Sequence, residues 1–254
     1  MSQAGPFPLY FPADARRAFG SDEATRRFAR VAQLEPGTRV LVLGCGPVNS
    51  PMLLARDLGC SVVAVDTEDS LLAHVRERVR ALGLGDRVET RRVDLDRMGF
   101  PDGEFDAILI QGRVFYPLGT ALGGLRRMLA KRGRLGMTFP ARVGRYTTKS
   151  ALDFWEQRIA MDLLLPRELL LEMEAHGYEP ESVETLTELE LDALYRDVEP
   201  RLQAAPAQAQ AVEAVREEIA VHREHNGKSG VSYAFIIGRR KEPGEKPPAS
   251  RDRG

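Results

Sequence analysis

Two glycines one residue apart, Gly44 and Gly46, end the apolar run Val40 to Leu43. A branched apolar run that stops at glycines reads as a buried strand entering a tight turn. Ser50 and Pro51 then supply N-cap and first-position chemistry for a helix that continues through Met52, Leu53, Leu54 and Ala55 towards Gly59. At such a junction a strand's carboxyl end meets a helix's amino end over residues without side chains, so a ligand's polar backbone can come close. A second apolar run, Ser61 to Asp66, ends in a carboxylate 22 residues after Gly44. That is near the roughly 20-residue spacing at which an acid reaches a ribose hydroxyl pair. The two strand ends together describe a crevice for a nucleoside-type ligand.

The elements that must hold these residues alternate along the chain. A Pro-rich and aromatic arm, Met1 to Pro12, precedes a helical pattern over Ala13 to Leu34, broken near Gly20 and Ser21, with Phe28, Val31 and Leu34 on one face. After Asp66, residues Leu71, Leu72, Val75, Val79 and Leu82 recur at helical spacing. A third strand lies within Asp86 to Asp94, and Phe105 to Ile110 forms a fourth that closes on Gln111. Leu122 to Ala130 reads as a helix, Lys131 to Gly133 as a turn and Arg134 to Phe139 as a fifth strand. This rhythm implies a doubly wound, parallel sheet of the Rossmann-like α/β class.

The last third is less regular. Pro166 to Ala175 is helical in pattern, Ser182 to Leu186 a short strand and Val231 to Ile237 a final buried strand. Between them Glu188 to Gly230 forms an insertion with a helix opened by Pro206, its Val212, Val215 and Ile219 inward and Asn226-Gly227 at its end. The expected organisation is an N-terminal arm and helical cap over 1–36, one ligand-binding domain over 37–240 with an insertion at about 188–230, and a disordered tail over 241–254.

The bulk chemistry narrows the classes. A formal net charge of −1 argues against a chain whose main work is gripping phosphate backbones. The two cysteines, Cys45 and Cys60, fit no metal spacing and suit a reducing compartment. With no apolar run near 18 residues and no basic-then-apolar start, the expectation is a cytoplasmic protein without a membrane span.

In the order of its motifs the chain resembles the class I S-adenosylmethionine-dependent methyltransferases, in particular their small-molecule, quinone-biosynthesis-like branch, over about residues 21–186 and 231–240. Leu41 to Gly46 resembles the first motif, Val63 to Asp66 the second, Val93-Asp94-Leu95 the third, Phe105 to Ile110 the fourth strand and Leu125 to Leu135 the fifth motif. The resemblance implies S-adenosylmethionine as cofactor. Gly44 and Gly46 would lie under its methionine part, Asp66 at the ribose, Asp94 and Leu95 at the adenine and Gln111 towards the sulfonium, with Cys45 and Thr67 also in the cofactor-binding set. It also implies a seven-stranded, mostly parallel sheet with an antiparallel last strand, for which Val231 to Ile237 is the candidate. Val42 and Val48 depart from the family, which commonly has an acid and a third glycine there.

Methyl transfer is an in-line displacement on an activated sulfonium, so no side chain is obligatorily catalytic and the catalytic residues stay unassigned. Tyr10, Tyr116, Tyr146 and Trp155 are candidates to contact a small-molecule acceptor. Cys45 reads as a small filler, His176 as a helix-end residue, and His222 with His225 as a solvated helix face with no metal site. A nicotinamide dehydrogenase would need glycine at position 49 to seat a pyrophosphate, and that position is Asn49. The signatures of amino-directed nucleic-acid methyltransferases are absent after the fourth strand, where the chain reads Ile110-Gln111-Gly112-Arg113. The alternative from another class is a binding or regulatory protein that keeps the fold and transfers nothing.

Overall fold

Alternate residues of the two central strands feed opposite faces of one sheet, which is why both strands read as unbroken apolar runs. Leu41, Leu43, Val63 and Val65 belong to one core layer, and Val40, Val42, Val62 and Ala64 to the other. The computed structural model describes residues 21–45, 49–94, 97–111, 117–204, 210–224, 226–242 and 244. The N-terminal arm with Tyr10, residues Gly46, Val48, Leu95, Tyr116 and His225, and most of the tail lie outside them.

The first half runs α1 (Asp22–Val31), β1 (Arg39–Leu43), α2 (Ser50–Asp57), β2 (Ser61–Asp66), α3 (Asp69–Ala81), β3 (Val88–Arg92) and β4 (Phe105–Ile110). The second runs α4 (Leu118–Met128), β5 (Leu129–Arg142), α5 (Lys149–Ile159), α6 (Pro166–Ala175), β6 (Tyr178–Thr185), α7 (Glu188–Ala204), α8 (Gln210–Arg223) and β7 (Val231–Arg240). The strands form one seven-stranded sheet in the order β3-β2-β1-β4-β5-β7-β6. Pairing is parallel from β3 to β5, and β7 alone runs antiparallel to both of its neighbours. The Rossmann-like sheet with its antiparallel last strand is therefore as expected.

Helices cover both faces. The layer of α1, α2 and α3 contributes Phe28, Met52, Leu54, Leu72 and Val75, and that of α4, α5 and α6 contributes Leu122, Leu125, Trp155, Leu169 and Met173. Phe28 docks α1 where the sheet has no side chain: a Cβ on Gly136 would lie 2.5 Å from its ring. Phe235 meets the same ring edge-on, with centroids 6.4 Å apart. Burying Phe28 is worth roughly 2–3 kcal/mol and seats the amino end of α1 beside that of α2.

Two expectations shift. The helix expected over Leu122 to Ala130 starts earlier and ends at Met128, because β5 begins at Leu129. The turn expected at Lys131 to Gly133 is an outward bulge inside β5: pairing with β4 jumps from Phe105↔Leu129 to Ala107↔Arg134, and Arg132 takes a left-handed φ of 59°. The insertion holds two helices, and α7 carries Pro200 within it. Its core of Leu191, Tyr195, Val198, Leu202, Val215 and Ile219 is separate from the two sheet layers, and Tyr233 of β7 packs against all three clusters. Among the described residues no helix is long and apolar enough to cross a membrane.

Gly230 fastens the insertion to the segment after β5. Its amide donates to Glu188 Oε1 at 2.8 Å, and its carbonyl accepts from the amides of Val143 and Gly144 at 2.9 and 3.2 Å. Its φ is +78°, and a Cβ there would stand 1.9 Å from the Tyr146 carbonyl oxygen. Gly230→Ala is therefore expected to cost on the order of 3 kcal/mol in urea unfolding. Gly123→Ala is the control, since among the described residues, its own helix's backbone and its chain neighbours aside, no atom lies within 4 Å of the added Cβ, and it should be neutral or stabilising by about 0.5 kcal/mol.

Candidate active site

Parallel strands in register end together, and that brings the predicted residues to one edge. Leu43 pairs with Val65 and with Ile110, and Asp66 with Arg92. The next residues out, Gly44, Asp66 and Gln111, therefore stand level at the carboxyl ends of three adjacent strands, with Asp94 on the rim past β3. Two further bonds hold that level: the Cys45 amide donates to the Val65 carbonyl, and the Val93 amide to the Asp66 carbonyl, each at 3.0 Å. Adjacent strands lie about 4.8 Å apart, so Asp66 and Gln111 face the crevice from about 10 Å apart. This is where open α/β sheets bind ligands.

Each side chain has a defined setting. Gly44 has φ +67°, which a side chain would strain. Asp66 is 7% exposed, and its Oδ1 accepts the Glu68 amide at 3.1 Å, which fixes the carboxylate at the strand end. Thr67 and Asp94 are exposed on the rim. Cys45 is fully buried, and burial first, then the nearby Asp66 carboxylate, push its thiol far above the usual range. It is therefore a neutral filler. Val42 lies in the core layer under α2, so β1 presents no carboxylate at that level.

Gln111 is 2% exposed and has a surrounding that its position in the sequence does not announce. Ser50 Oγ donates to its Oε1 at 2.5 Å, and Thr25 Oγ1, on α1, lies 3.1 Å from the same oxygen and 3.2 Å from Ser50 Oγ. Its Nε2 is buried without a hydrogen-bond partner among the described residues. Ser50 is thus not the N-cap expected from the sequence. Asn49 occupies that place and makes no side-chain cap bond, because its amide group is held between Asp22 and Arg78 at 2.8 and 2.7 Å. Thr25 was not among the candidates, since a threonine inside an amphipathic helix gives no sequence signal for a contact 86 residues away.

On the β5–β7 side, Tyr146 is 86% exposed. Trp155 is buried, meets the Tyr233 ring edge-on at 5.6 Å, and lines a cavity of about 10 Å³ with Glu218, His222 and Ser232. That is room for about one water. A larger hollow of about 380 Å³ lies beside α3 and the start of β3, lined by Arg76 and Arg80, and holds none of the predicted residues. His222 corrects the reading of a solvated helix face: it is 3% exposed, against the Tyr195 ring. The reason is that α8 turns this face onto α7. Burial, opposed by the Asp192 carboxylate, holds its pKa below 6.5. His176 does cap α6, with Nδ1 2.8 Å from the Glu172 carbonyl. Among the described residues no cluster of His, Cys, Asp or Glu is placed to hold a metal.

Residues 40–133 match the family described as a methyltransferase domain. Phosphoethanolamine N-methyltransferase 1 of Arabidopsis thaliana is 30% identical over 97 residues, 38% of this chain and 19% of that protein. The chain thus spans about a fifth of the length of this curated relative. In structure it is similar to the [4+2]-cyclase SpnF, with a TM-score of 0.66 at 21% identity, covering 92% of this chain and 86% of that one. It is similar also to phosphoethanolamine N-methyltransferase 2 of Haemonchus contortus, in complex with phosphomonomethylethanolamine and S-adenosylhomocysteine, with a TM-score of 0.66 at 17% identity over 89% and 54% of the two chains. The stretch 40–133 therefore matches a methyltransferase domain, and the fold is similar to that of these solved structures.

Proposed function

We propose that this protein binds S-adenosylmethionine across the carboxyl ends of β1 to β4 and catalyses transfer of its methyl group to a small-molecule acceptor. One observation carries the reading: the stretch matched to the methyltransferase family, 40–133, is the stretch whose register sets Gly44, Asp66 and Gln111 level at one edge. The residues fit the cofactor in chemistry. A fixed carboxylate suits a ribose hydroxyl pair, a glycine with positive φ leaves room for a close approach, and a buried amide with an unused donor awaits a polar ligand. Asp94 would take the adenine amino group, with Thr67 beside the ribose; Gly46 and Leu95 are assigned by the motif alone.

When bound, the cofactor supplies a methyl group on a sulfonium that needs no further activation. The protein's part is to hold an acceptor in line and exclude water. Beyond Gln111 the edge continues into β5 and β7, where α7 and α8 stand, so the acceptor would enter from that side. Tyr10, Tyr116, Tyr146 and Trp155 remain proposals for acceptor contact, and the quinone-like branch is one acceptor class within this reading.

Calorimetric titration with S-adenosylmethionine, S-adenosylhomocysteine and NAD in parallel tests the proposal. Micromolar binding of both adenosyl ligands and none of NAD is expected; NAD binding alone, or no binding of any, would overturn it. A second reading has one observation in its favour, since a protein of this fold is described as a cyclase. Formation of S-adenosylhomocysteine with any acceptor would rule out a protein that holds the cofactor and transfers nothing.

A further inference from the structure

We infer that Thr25 and Ser50 are positioning residues that lock the Gln111 carboxamide so that its Nε2 donates to the carboxylate at the amino-acid end of the cofactor. The inference rests on the cofactor reading above and adds to it how that end is recognised.

Distances assign the orientation of the amide. Ser50 Oγ donates to the Gln111 amide oxygen in a contact shorter than an ordinary hydrogen bond, and this contact sets the orientation of the amide. Thr25 Oγ1 has one proton, and the Ser21 carbonyl at 3.0 Å and the Gln111 oxygen at 3.1 Å both lie within its reach. Ser50 thus holds the amide oxygen on its side, with Thr25 Oγ1 within reach of both, and the two N–H groups of Nε2 turn the other way. Leaving that donor unpaired when buried costs about 1–3 kcal/mol. A group that the surrounding structure orients so firmly and leaves unmatched is prepared for a partner.

The partner must accept, and it must sit at the Gln111 end of the crevice. In an adenosyl sulfonium the acceptors at the Asp66 end are the ribose and adenine atoms, about 10 Å away across two strands. At the other end the ammonium only donates and the sulfonium is cationic, so the carboxylate is the one acceptor left. A second feature favours an anion there. Ser50 is the first residue of α2, whose eight residues point their amino end at this edge and whose Asn49 cap makes no side-chain bond to the first-turn amides.

The test compares two thioethers that differ only at this end. S-adenosylhomocysteine carries the amino-acid group, and 5′-methylthioadenosine lacks it. Thr25→Val and Ser50→Ala, each checked for an unchanged melting transition, are expected to weaken S-adenosylhomocysteine about tenfold and leave 5′-methylthioadenosine within about twofold. Those factors correspond to one lost hydrogen bond to a charged group. Thr25→Ser should restore the wild-type value, and Gln111→Glu, which keeps the shape but replaces the donor by oxygen, should lose S-adenosylhomocysteine selectively. Equal weakening of both thioethers would mean that the cluster only supports the fold and would overturn the inference, as would no weakening of either. Wild-type protein that binds neither thioether would instead overturn the cofactor reading, and binding of both with no change in any variant would leave that reading intact while ending this one.

Discussion

Asp66→Ala is expected to weaken binding of S-adenosylmethionine and S-adenosylhomocysteine by about one hundredfold and to leave the fold in place. A carboxylate that accepts from two ribose hydroxyls makes two charge-assisted hydrogen bonds, together about 3 kcal/mol, which is close to two decades of affinity. The cost to stability is smaller. The side chain ends a strand and accepts the Glu68 amide, and loss of that bond is worth about 1 kcal/mol. Unlike the Thr25 and Ser50 variants, this one should weaken 5′-methylthioadenosine as much as S-adenosylhomocysteine, because both carry the ribose. Asp66→Asn keeps the shape and should fall between wild type and alanine. Unchanged affinity in the alanine variant would remove Asp66 from the site.

Glu218→Ala is expected to loosen the insertion and to cost about 3–5 kcal/mol in urea unfolding. The carboxylate is 2% exposed and accepts short bonds from the hydroxyl of Tyr195 on α7 and from that of Tyr233 on β7, the latter at 2.8 Å. One residue of α8 thus joins three elements. Removing it takes this acceptor from two phenols, one buried and one half-buried, and each bond lost in such a setting costs about 1–3 kcal/mol. Tyr195→Phe and Tyr233→Phe should each cost less, about 1 kcal/mol. The combination Glu218→Leu with both phenylalanines should recover much of the loss, since replacing a whole buried polar group is gentler than breaking it. Cofactor binding should survive, because the crevice stands on β1 to β4, while turnover of an acceptor should fall. A Glu218→Ala protein as stable as wild type would show that the three elements are held by apolar packing alone.

The centre of the fold is legible in the sequence for a physical reason. β1, β2 and β4 are covered on both faces, so they read as continuous apolar runs, and Asp66 and Gln111 mark where those runs end. β3 is an edge strand in which Val88 alone is buried, and its pattern is faint between charged neighbours. The apolar positions of α7, Leu191, Leu194, Tyr195, Val198 and Leu202, recur at helical spacing, but Pro200 interrupts the pattern in which they occur. His222 looks like a surface histidine because its burial depends on how α8 rests on α7, which is tertiary information. Ser50 shows the same limit within the candidate site. Serine before proline is ordinary cap chemistry, and only the approach of β4 and α1 gives its hydroxyl other work.

The place of β7 sets the order in which this molecule can be made. It enters between β5 and β6, pairing with nine residues from Arg134 to Arg142 on one side and with residues of β6 from Tyr178 to Thr185 on the other. Until Val231 to Arg240 has left the ribosome, those two strands have unpaired inner edges and nothing between them. The half-sheet β3-β2-β1-β4-β5 can form as its segments emerge, whereas β6 and the insertion above it wait for the strand that joins them. Contacts across such sequence separations form slowly and expose strand edges meanwhile. A nascent chain halted before Val231 is therefore a half-built sheet with an open β5 edge, a form that chaperones would hold and that would add strands from its neighbours at high concentration.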